Sequence, residues 1–341
     1  MKYQLLGKSG LRVSELALGT MTFGDREGWG ANKEESRKIF NTYVEAGGNF
    51  IDTANLYTNG QSEEFIGEFI ASEREKFMVS TKYTLSMNPK DPNGGGNHRK
   101  NLVQSLDASL KRLKTDYIDL YWLHNWDFMT PVEEVMRTLD DQIRAGKILY
   151  VGICNTPAWI ISQANTMAAL RGWSSFIGLQ VEYSLIQREA ERDLLPMAKA
   201  FDIGITAWSP LGGGILTGKN MYNFDEDSKR TALNTERLTD RNRSIFETVK
   251  NIAQEIGKTP AQVALNWIRQ QEGAPIPILG ARTEKQIKDN LDSLTFELTQ
   301  EQIDLLNKVS CINLGFPHEF LMTESVRNLI NGEFANIIRS Y

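Results

Sequence analysis

The segment NFIDTANLYTNGQSEEFIGEF, residues 49–69, joins a short apolar strand to an amphipathic helix through a polar turn. Phe50 and Ile51 indicate a buried strand, which ends in an acid, Asp52, and a phenol follows at Tyr57. An ionisable group at the end of a hydrophobic strand indicates the edge of a core, because burying an isolated charge is costly. The segment therefore predicts a strand, turn and helix with a polar site where the strand ends.

The same alternation of apolar run and amphipathic stretch recurs along the chain. Eight runs are strand candidates: LALGT at 16–20, NFIDTA at 49–54, KFMVSTK at 76–82, YIDLYWLH at 117–124, ILYVGICN at 148–155, IGLQVEY at 177–183, IGITAWSP at 203–210 and PIPILGA at 275–281. Alternating strands and helices imply parallel strands joined by crossovers. The pattern predicts a closed (β/α)8 TIM barrel, and we expect residues 1–341 to form one domain.

Three segments account for the length beyond a minimal barrel of about 250 residues. LLGKSGLRVS at 5–14 predicts a β-hairpin that caps the bottom of the barrel. The polar, glycine-rich stretch 211–243 follows the seventh strand, and loops of this length are often functional. Residues 311–341 form a C-terminal extension with a further helical pattern.

Composition narrows the function classes. Apolar residues make up 41% and charged residues 24%, and no window has the roughly 18 apolar residues of a membrane span. The net charge of −5 argues against a nucleic-acid-binding protein. With two distant cysteines, Cys154 and Cys311, and no visible secretory signal, we expect a cytoplasmic protein without a membrane or nucleic-acid partner. The sequence indicates no oligomeric state.

Four polar residues follow three consecutive strands. In a TIM barrel the carboxyl ends of the strands carry the working groups, which selects Asp52, Tyr57, Lys82 in STKY and His124 in YWLHNWD. Each alone is typical of a polar cap, but four together predict a catalytic site. A lysine ammonium beside a phenol stabilises the phenolate and lowers the pKa of the phenol. We therefore predict that Tyr57 protonates an oxygen, with Lys82 held by Asp52 and with His124 bonding the substrate.

The cofactor signals lie in two loops. No GxGxxG follows a strand and opens a helix, so a Rossmann site is not predicted. AWSPLGGGILTGK, with Lys219, follows strand seven, and GARTEKQIKDN, with Gly280 and Arg282, follows strand eight. Small residues allow a backbone to approach a phosphate, and a helix N-terminus can bind an anion. Either loop alone is equally typical of an ordinary turn with a solvated base.

These residues resemble the aldo-keto reductase family over nearly the whole chain, from LGKSGLRVSELALGTMTFG onward and most clearly in GGNFIDTANLYTNGQSE. The family's catalytic Asp, Tyr, Lys and His match Asp52, Tyr57, Lys82 and His124. The resemblance implies reversible hydride transfer between a nicotinamide cofactor and a carbonyl group, with Tyr57 as the general acid for reduction. It implies a small-molecule carbonyl substrate.

The resemblance also implies a set of cofactor contacts. Its members are Trp208 at the nicotinamide ring, Asn155 and Gln180 at the carboxamide, Ser209, Leu211 and Gly213 at the pyrophosphate, and Arg282, Gln286 and Asn290 at the adenosine. Arg282 would meet a 2′-phosphate, which favours NADPH (NADP+) over NADH. The chain departs from the family at Cys154, where many members have serine, and at Trp208, where many have tyrosine.

The sequence also predicts the residues of a substrate mouth and two alternatives for the overall function. Loop aromatics suggest an apolar mouth: Phe23, Trp29, Trp126 and Phe128. A carbonyl reductase is the main hypothesis, and the alternative is a cofactor-binding regulatory subunit like the channel-associated members of this family. A metal site is not predicted, because the three histidines are scattered.

Overall fold

Eight parallel strands close into a barrel. Seven of them lie within predicted apolar runs, and the third extends one residue beyond its run, to Tyr83. The computed structural model describes residues 1–26, 28–218 and 235–334. A hairpin of β1 (Tyr3–Leu5) and β2 (Arg12–Ser14) precedes the barrel strands β3 (Ala17–Gly19), β4 (Phe50–Asp52), β5 (Met78–Tyr83), β6 (Ile118–Leu123), β7 (Ile148–Cys154), β8 (Gly178–Glu182), β9 (Gly204–Trp208) and β10 (Ile276–Gly280). Neighbours follow chain order, and β10 pairs with β3. The predicted (β/α)8 TIM barrel is confirmed.

Ten helices of the described part of the chain surround the barrel and bury one face each against the outward side chains of the strands. They are α1 (Lys33–Glu45), α2 (Gln61–Ile70), α3 (Arg99–Leu113), α4 (Val132–Arg144), α5 (Ala158–Arg171), α6 (Leu194–Ala200), α7 (Asp240–Glu255), α8 (Pro260–Arg269), α9 (Glu284–Leu291) and α10 (Gln300–Ser310), followed by α11 (His318–Met322) and α12 (Glu324–Asn331). Thr259 and Thr299 begin α8 and α10 with capping boxes, which satisfy backbone N–H groups of the first turn. No helix in the described part of the chain is long and apolar enough to cross a membrane.

The interior of the barrel is packed around one large side chain, Trp122 on β6, which is fully buried. Neighbouring strands make room for its indole by having no side chain at the facing positions. A Cβ on Gly152 of β7 would lie 2.2 Å from the Trp122 ring, and one on Gly178 of β8 would lie 2.8 Å from it. The glycines of these two strands therefore allow a close-packed interior.

The N-terminal hairpin closes the end of the barrel at which the strands begin. Tyr3 of β1 pairs with Ser14 of β2, and the side chain of Leu6, at the turn, is buried with the interior residues of the barrel. A Cβ on Gly7 would lie 2.5 Å from the carbonyl oxygen of Ile177, the residue before β8. The hairpin turn thus lies in contact with the barrel backbone. The predicted N-terminal hairpin is confirmed.

The structure describes part of each of the two other predicted additions, the stretch 211–243 and the C-terminal extension 311–341. After β9 the chain forms a short 3-10 turn at Gly212–Thr217, and it is described again from Thr235 into α7. The C-terminal extension runs from residue 311 through α11 and α12. It contacts the loop after β8, where the Arg192 guanidinium donates to the Asn313 carbonyl oxygen at 2.9 Å. Large apolar side chains of this extension are exposed, among them Phe316 and Leu329.

The close packing around Trp122 gives a stability prediction. Gly152→Ala should destabilise the protein by about 3 kcal/mol or more, since the new methyl group overlaps the indole and overpacking costs about 1 to 3 kcal/mol and occasionally more. Gly10→Ala is the matched control, because nothing lies within 4 Å of a Cβ at Gly10. Urea unfolding of both variants measures the difference. Equal midpoints for Gly152→Ala and Gly10→Ala would contradict this packing.

Candidate active site

The carboxyl ends of β4, β5 and β6 bring the four predicted catalytic residues together. The two-residue period of a strand turns Asp52, Lys82 and His124 toward the barrel axis, and Tyr57 approaches them from the turn after β4. Lys82 Nζ lies 2.5 Å from Asp52 Oδ2 and 3.1 Å from Tyr57 Oη. The rings of Tyr57 and His124 meet edge to face, with centroids 6.1 Å apart. These four side chains form one contiguous cluster.

The hydrogen bonds of Lys82 determine where the proton of Tyr57 can go. An ammonium group has three donors and no acceptor. Lys82 Nζ donates to Asp52 Oδ2, to the carbonyl oxygen of Thr53 at 2.9 Å and to Tyr57 Oη. The phenol oxygen therefore accepts from Lys82, and the phenol's own proton remains available to another acceptor at the mouth of the barrel.

Two opposing effects set the protonation of this cluster. Burial raises the pKa of Tyr57, and the neighbouring Lys82 ammonium lowers it by a smaller amount, so the pKa lies above that of an ordinary phenol. Burial alone would lower the pKa of Lys82, but the Asp52 carboxylate and the phenol raise it above its usual range. At neutral pH the cluster therefore contains a protonated phenol beside an ammonium.

His124 is neutral in this environment. Burial, and then the positive charge of Lys82, lower the pKa of His124 to about 3. Its Nδ1 is buried and has no hydrogen-bond partner among the described residues. A buried N–H without an acceptor is costly, so the tautomer with the proton on Nε2 is favoured. An imidazole in this tautomer can donate a hydrogen bond from Nε2.

Asp52 has two further partners that we did not predict in this role. Ser80 Oγ donates to Asp52 Oδ1 at 2.9 Å, and Gln180 Nε2 donates to the same oxygen at 3.0 Å. Ser80 stands two residues before Lys82, so the strand period places both side chains on the inner face of β5. That spacing was the signal that could have identified Ser80.

The turn that carries Tyr57 has an uncommon backbone. Thr58 and Asn59 have φ angles of 47° and 53°, in the left-handed region, and Gly60 follows with 85°. A left-handed conformation costs roughly 1–2 kcal/mol for each residue other than glycine. Tertiary contacts must offset this cost for the turn to persist.

Three predicted cofactor residues lie together at the ends of β7, β8 and β9. Asn155 Nδ2 donates to the His124 carbonyl oxygen at 3.0 Å, and Asn155 Oδ1 accepts from Trp208 Nε1 at 3.1 Å. Gln180 lies on β8 between these strands, bonded to Asp52. The indole N–H of Trp208 therefore fixes the orientation of the Asn155 amide. This group adjoins the catalytic cluster.

The loop after β9 begins with a glycine-rich turn. Ser209 Oγ accepts from the Gly213 backbone N–H at 3.0 Å, and Leu211 packs partly against the core. Gly212, Gly213 and Gly214 all have positive φ angles, which glycine adopts without steric cost. A Cβ on Gly212 would lie 2.4 Å from the Ile186 side chain, whereas nothing lies within 4 Å of a Cβ on Gly214, so a ligand can approach the backbone at Gly214. The predicted contact Lys219 lies outside the described residues.

The loop after β10 carries the remaining predicted cofactor residues. Gly280 ends the strand, and Gln286 Oε1 accepts from the Arg282 backbone N–H at 2.8 Å. Asn290 lies one turn further along α9 and is buried. Arg282 is exposed and makes no ion pair with any residue in the described ranges. A guanidinium in this position can bind a phosphate.

The four predicted mouth aromatics are not equivalent. Phe23 is fully buried in the core, with its ring centroid 6.4 Å from that of Phe69, so it offers no surface to a substrate. Trp29 and Trp126 are half-buried, and Phe128 is 70% exposed. Phe23 is buried because the loop after β3 turns back, and the Gly24 N–H bonds the Ala31 carbonyl oxygen at 2.8 Å.

Comparison with known proteins agrees with this geometry. The model of the Aldo/keto reductase family matches residues 15–310. The chain is 36% identical to a norsolorinic acid reductase of Aspergillus flavus over 338 residues, 95% of this chain and 85% of that protein. It is 35% identical to the putative aryl-alcohol dehydrogenase AAD14 of Saccharomyces cerevisiae, over 94% of this chain and 89% of that protein. It is also 35% identical to the aldo-keto reductase ausK of Emericella nidulans, over 93% and 84% respectively. The chain belongs to the aldo/keto reductase family of oxidoreductases.

Proposed function

We propose that this protein reduces aldehydes or ketones to alcohols, with NADPH as the hydride donor and Tyr57 as the general acid. The observation that carries the proposal is the set of three hydrogen bonds from Lys82, which leaves the phenol proton of Tyr57 available to a substrate oxygen. Family membership supports carbonyl reduction as the reaction class.

The residues at the ends of β7 to β10 fit a nicotinamide dinucleotide. Trp208 offers an aromatic face, and Gln180 Nε2 is bonded to Asp52, which leaves its Oε1 to accept from an amide such as a carboxamide. A pyrophosphate can approach the glycine turn after β9 at Gly214, where nothing lies within 4 Å of a Cβ, and the exposed Arg282 is suited to a 2′-phosphate. When bound, the dinucleotide supplies the hydride for the carbonyl carbon.

The chain's own residues supply the proton and stabilise the charge. As negative charge develops on the substrate oxygen, Tyr57 transfers its proton to that oxygen and becomes a phenolate. Lys82, already bonded to Tyr57 Oη, stabilises the phenolate, and Asp52 holds Lys82 in place. Neutral His124 donates a hydrogen bond from Nε2 to the same substrate oxygen. Cys154 takes no part as a nucleophile, because burial raises the pKa of its thiol well above the usual value.

Aryl carbonyl compounds are the substrate class that we propose. The name of one relative, the putative aryl-alcohol dehydrogenase AAD14, suggests this class. In this chain the loop after β6 exposes Phe128 and Met129, and Trp126 is half-buried beside them. An apolar, aromatic loop favours a ring over a small polar substrate.

Both cysteines are unpaired, which supports a reducing, cytoplasmic location.

Tyr57→Phe tests the proposed acid. With aryl and alkyl aldehydes and NADPH, kcat should fall by about 10²-fold or more, since general acid catalysis contributes about 10²- to 10⁴-fold. NADPH binding, measured by protein fluorescence, should stay near the wild-type value. Wild-type turnover in Tyr57→Phe would remove Tyr57 from the mechanism. Tight NADPH binding without turnover of any aldehyde by the unaltered protein would favour the regulatory subunit.

Arg282→Ala tests the cofactor preference. Charge-assisted hydrogen bonds are worth about 1.5–3 kcal/mol, so NADPH should bind roughly 10- to 100-fold more weakly, while NADH changes little. Because Arg282 is exposed, added salt should reduce the difference. Arg12→Ala, an equal charge change on the hairpin at the opposite end of the barrel, is the control. Equal weakening of NADPH and NADH would contradict a 2′-phosphate contact.

A further inference from the structure

The turn after Tyr57 is held in place by contacts outside the catalytic cluster. Thr58, Asn59 and Gly60 are successive residues with positive φ. A β-branched threonine in this region is an outlier, and such a conformation persists only when its surroundings over-determine it. The contacts that maintain the turn therefore also fix the position of the Tyr57 phenol.

Arg112 of α3 packs directly against the end of this turn. A Cβ on Gly60 would lie 2.9 Å from Arg112 Cδ and 3.1 Å from Arg112 Nε, so the arginine side chain covers the glycine. Arg112 Nε donates to Glu63 Oε2 at 2.6 Å, and Glu63 lies in the first turn of α2, immediately after the strained residues. The ion pair thus holds α3 against the end of the turn.

Glu63 also contacts the strand that carries Lys82. Its carboxylate is fully buried, and its second oxygen, Oε1, accepts from Thr81 Oγ1 at 2.5 Å. Thr81 immediately precedes Lys82 on β5, with its side chain on the outer face of the barrel. One buried carboxylate therefore connects the turn of Tyr57, α3 and the strand of Lys82. Because a buried charge requires its partners, these three elements are tied in position.

A second set of contacts holds the turn from its other side but is exposed. Arg26 Nη1 donates to the Asn59 carbonyl oxygen at 3.2 Å, and Arg26 pairs with Glu64 at 2.8 Å. Both side chains of this pair are more than one third exposed, so water and salt weaken the interaction. The buried pair, rather than this exposed one, is therefore the stronger constraint.

We propose that Glu63 and Arg112 are positioning residues that set the distance between the Tyr57 phenol and the Lys82 ammonium. Neither residue belongs to the catalytic cluster. They act through the backbone of residues 58–60 on one side and through Thr81 on the other. This inference rests on the proposed role of Tyr57 as general acid, and it adds two residues on which the strength of that acid depends.

Two substitutions disturb the connection in different ways. Glu63→Gln keeps the shape of the side chain but removes the charge opposite Arg112. Gly60→Ala leaves both charges and places a methyl group against Arg112. In both variants kcat should fall by about 10- to 100-fold, because small misplacements of reacting groups cost up to about 10²-fold. The fluorescence-measured affinity for NADPH should be unchanged.

The pH profile distinguishes positioning from general destabilisation. Reduction requires the protonated phenol, so kcat falls as pH rises through the pKa of Tyr57. A phenol further from Lys82 has a higher pKa, so the alkaline limb of kcat should move to higher pH in both variants. The titratable groups that face Tyr57 are Asp52, Lys82, His124 and Cys154, and all remain in these variants.

Matched controls are available at the other end of the barrel. Asp119 of β6 forms a buried ion pair with Arg74 at 2.6 Å, and Gly146 has a φ of 75° with nothing within 4 Å of a Cβ. Asp119→Asn and Gly146→Ala should lower stability and leave kcat and its alkaline limb unchanged. Arg112→Lys, which can still donate to Glu63, should retain more activity than Arg112→Met.

The result that would overturn the proposal is a wild-type alkaline limb in Glu63→Gln and Gly60→Ala, whether or not kcat falls. If Glu63→Gln does not fold, Gly60→Ala and Arg112→Lys decide the question. If the unaltered protein reduces no carbonyl compound, the proposed function fails, and ultraviolet titration of tyrosinate, with each protein compared to its Tyr57→Phe form, tests the positioning without turnover. Tyr57 should then titrate at higher pH in Glu63→Gln, and identical titrations would refute the inference.

Discussion

A single buried ion pair, between Lys82 and Asp52, constrains the rest of the site. Their side chains are 0% and 3% exposed. Removing two ions from water costs several kcal/mol for each, and the attraction offsets this cost only when the remaining hydrogen-bonding groups are satisfied. Ser80 and Gln180 complete the partners of Asp52, and Tyr57 completes those of Lys82. The relative positions of β4, β5 and β8 at this rim therefore depend on one another.

The pair also explains why Tyr57 is protonated before the reaction and can still transfer its proton to a substrate. Burial raises the pKa of Tyr57 and keeps the phenol protonated, while Lys82 stabilises the phenolate that proton transfer would leave. The same positive charge, together with burial, keeps His124 neutral, so that His124 can donate a hydrogen bond without competing as an acid. A more exposed lysine would be screened by water, and its influence on both neighbours would be smaller.

The sequence predicts the barrel because its eight strands are short apolar runs separated by amphipathic helices, and each strand agrees with its run to within one residue at its carboxyl end. The position of Lys82 at the carboxyl end of its strand also predicts that it lies near Asp52, Tyr57 and His124 at the rim. The sequence does not show that burial raises the pKa of Tyr57 by more than Lys82 lowers it, because desolvation depends on packing from many elements. Phe23 was expected at the mouth, yet the loop that carries it folds back into the core. Glu63 and Arg112 lie 49 residues apart, and no local pattern indicates their contact.

In this site Lys82 is an ammonium whose three protons are all engaged, and the Tyr57 proton points away from it. Neutron diffraction from deuterium-exchanged crystals locates these protons directly. We predict three deuterons on Lys82 Nζ, directed to Asp52 Oδ2, the Thr53 carbonyl oxygen and Tyr57 Oη, and one deuteron on Tyr57 Oη directed to the mouth of the barrel. A neutral Lys82 amine that accepts the phenol deuteron would contradict this prediction.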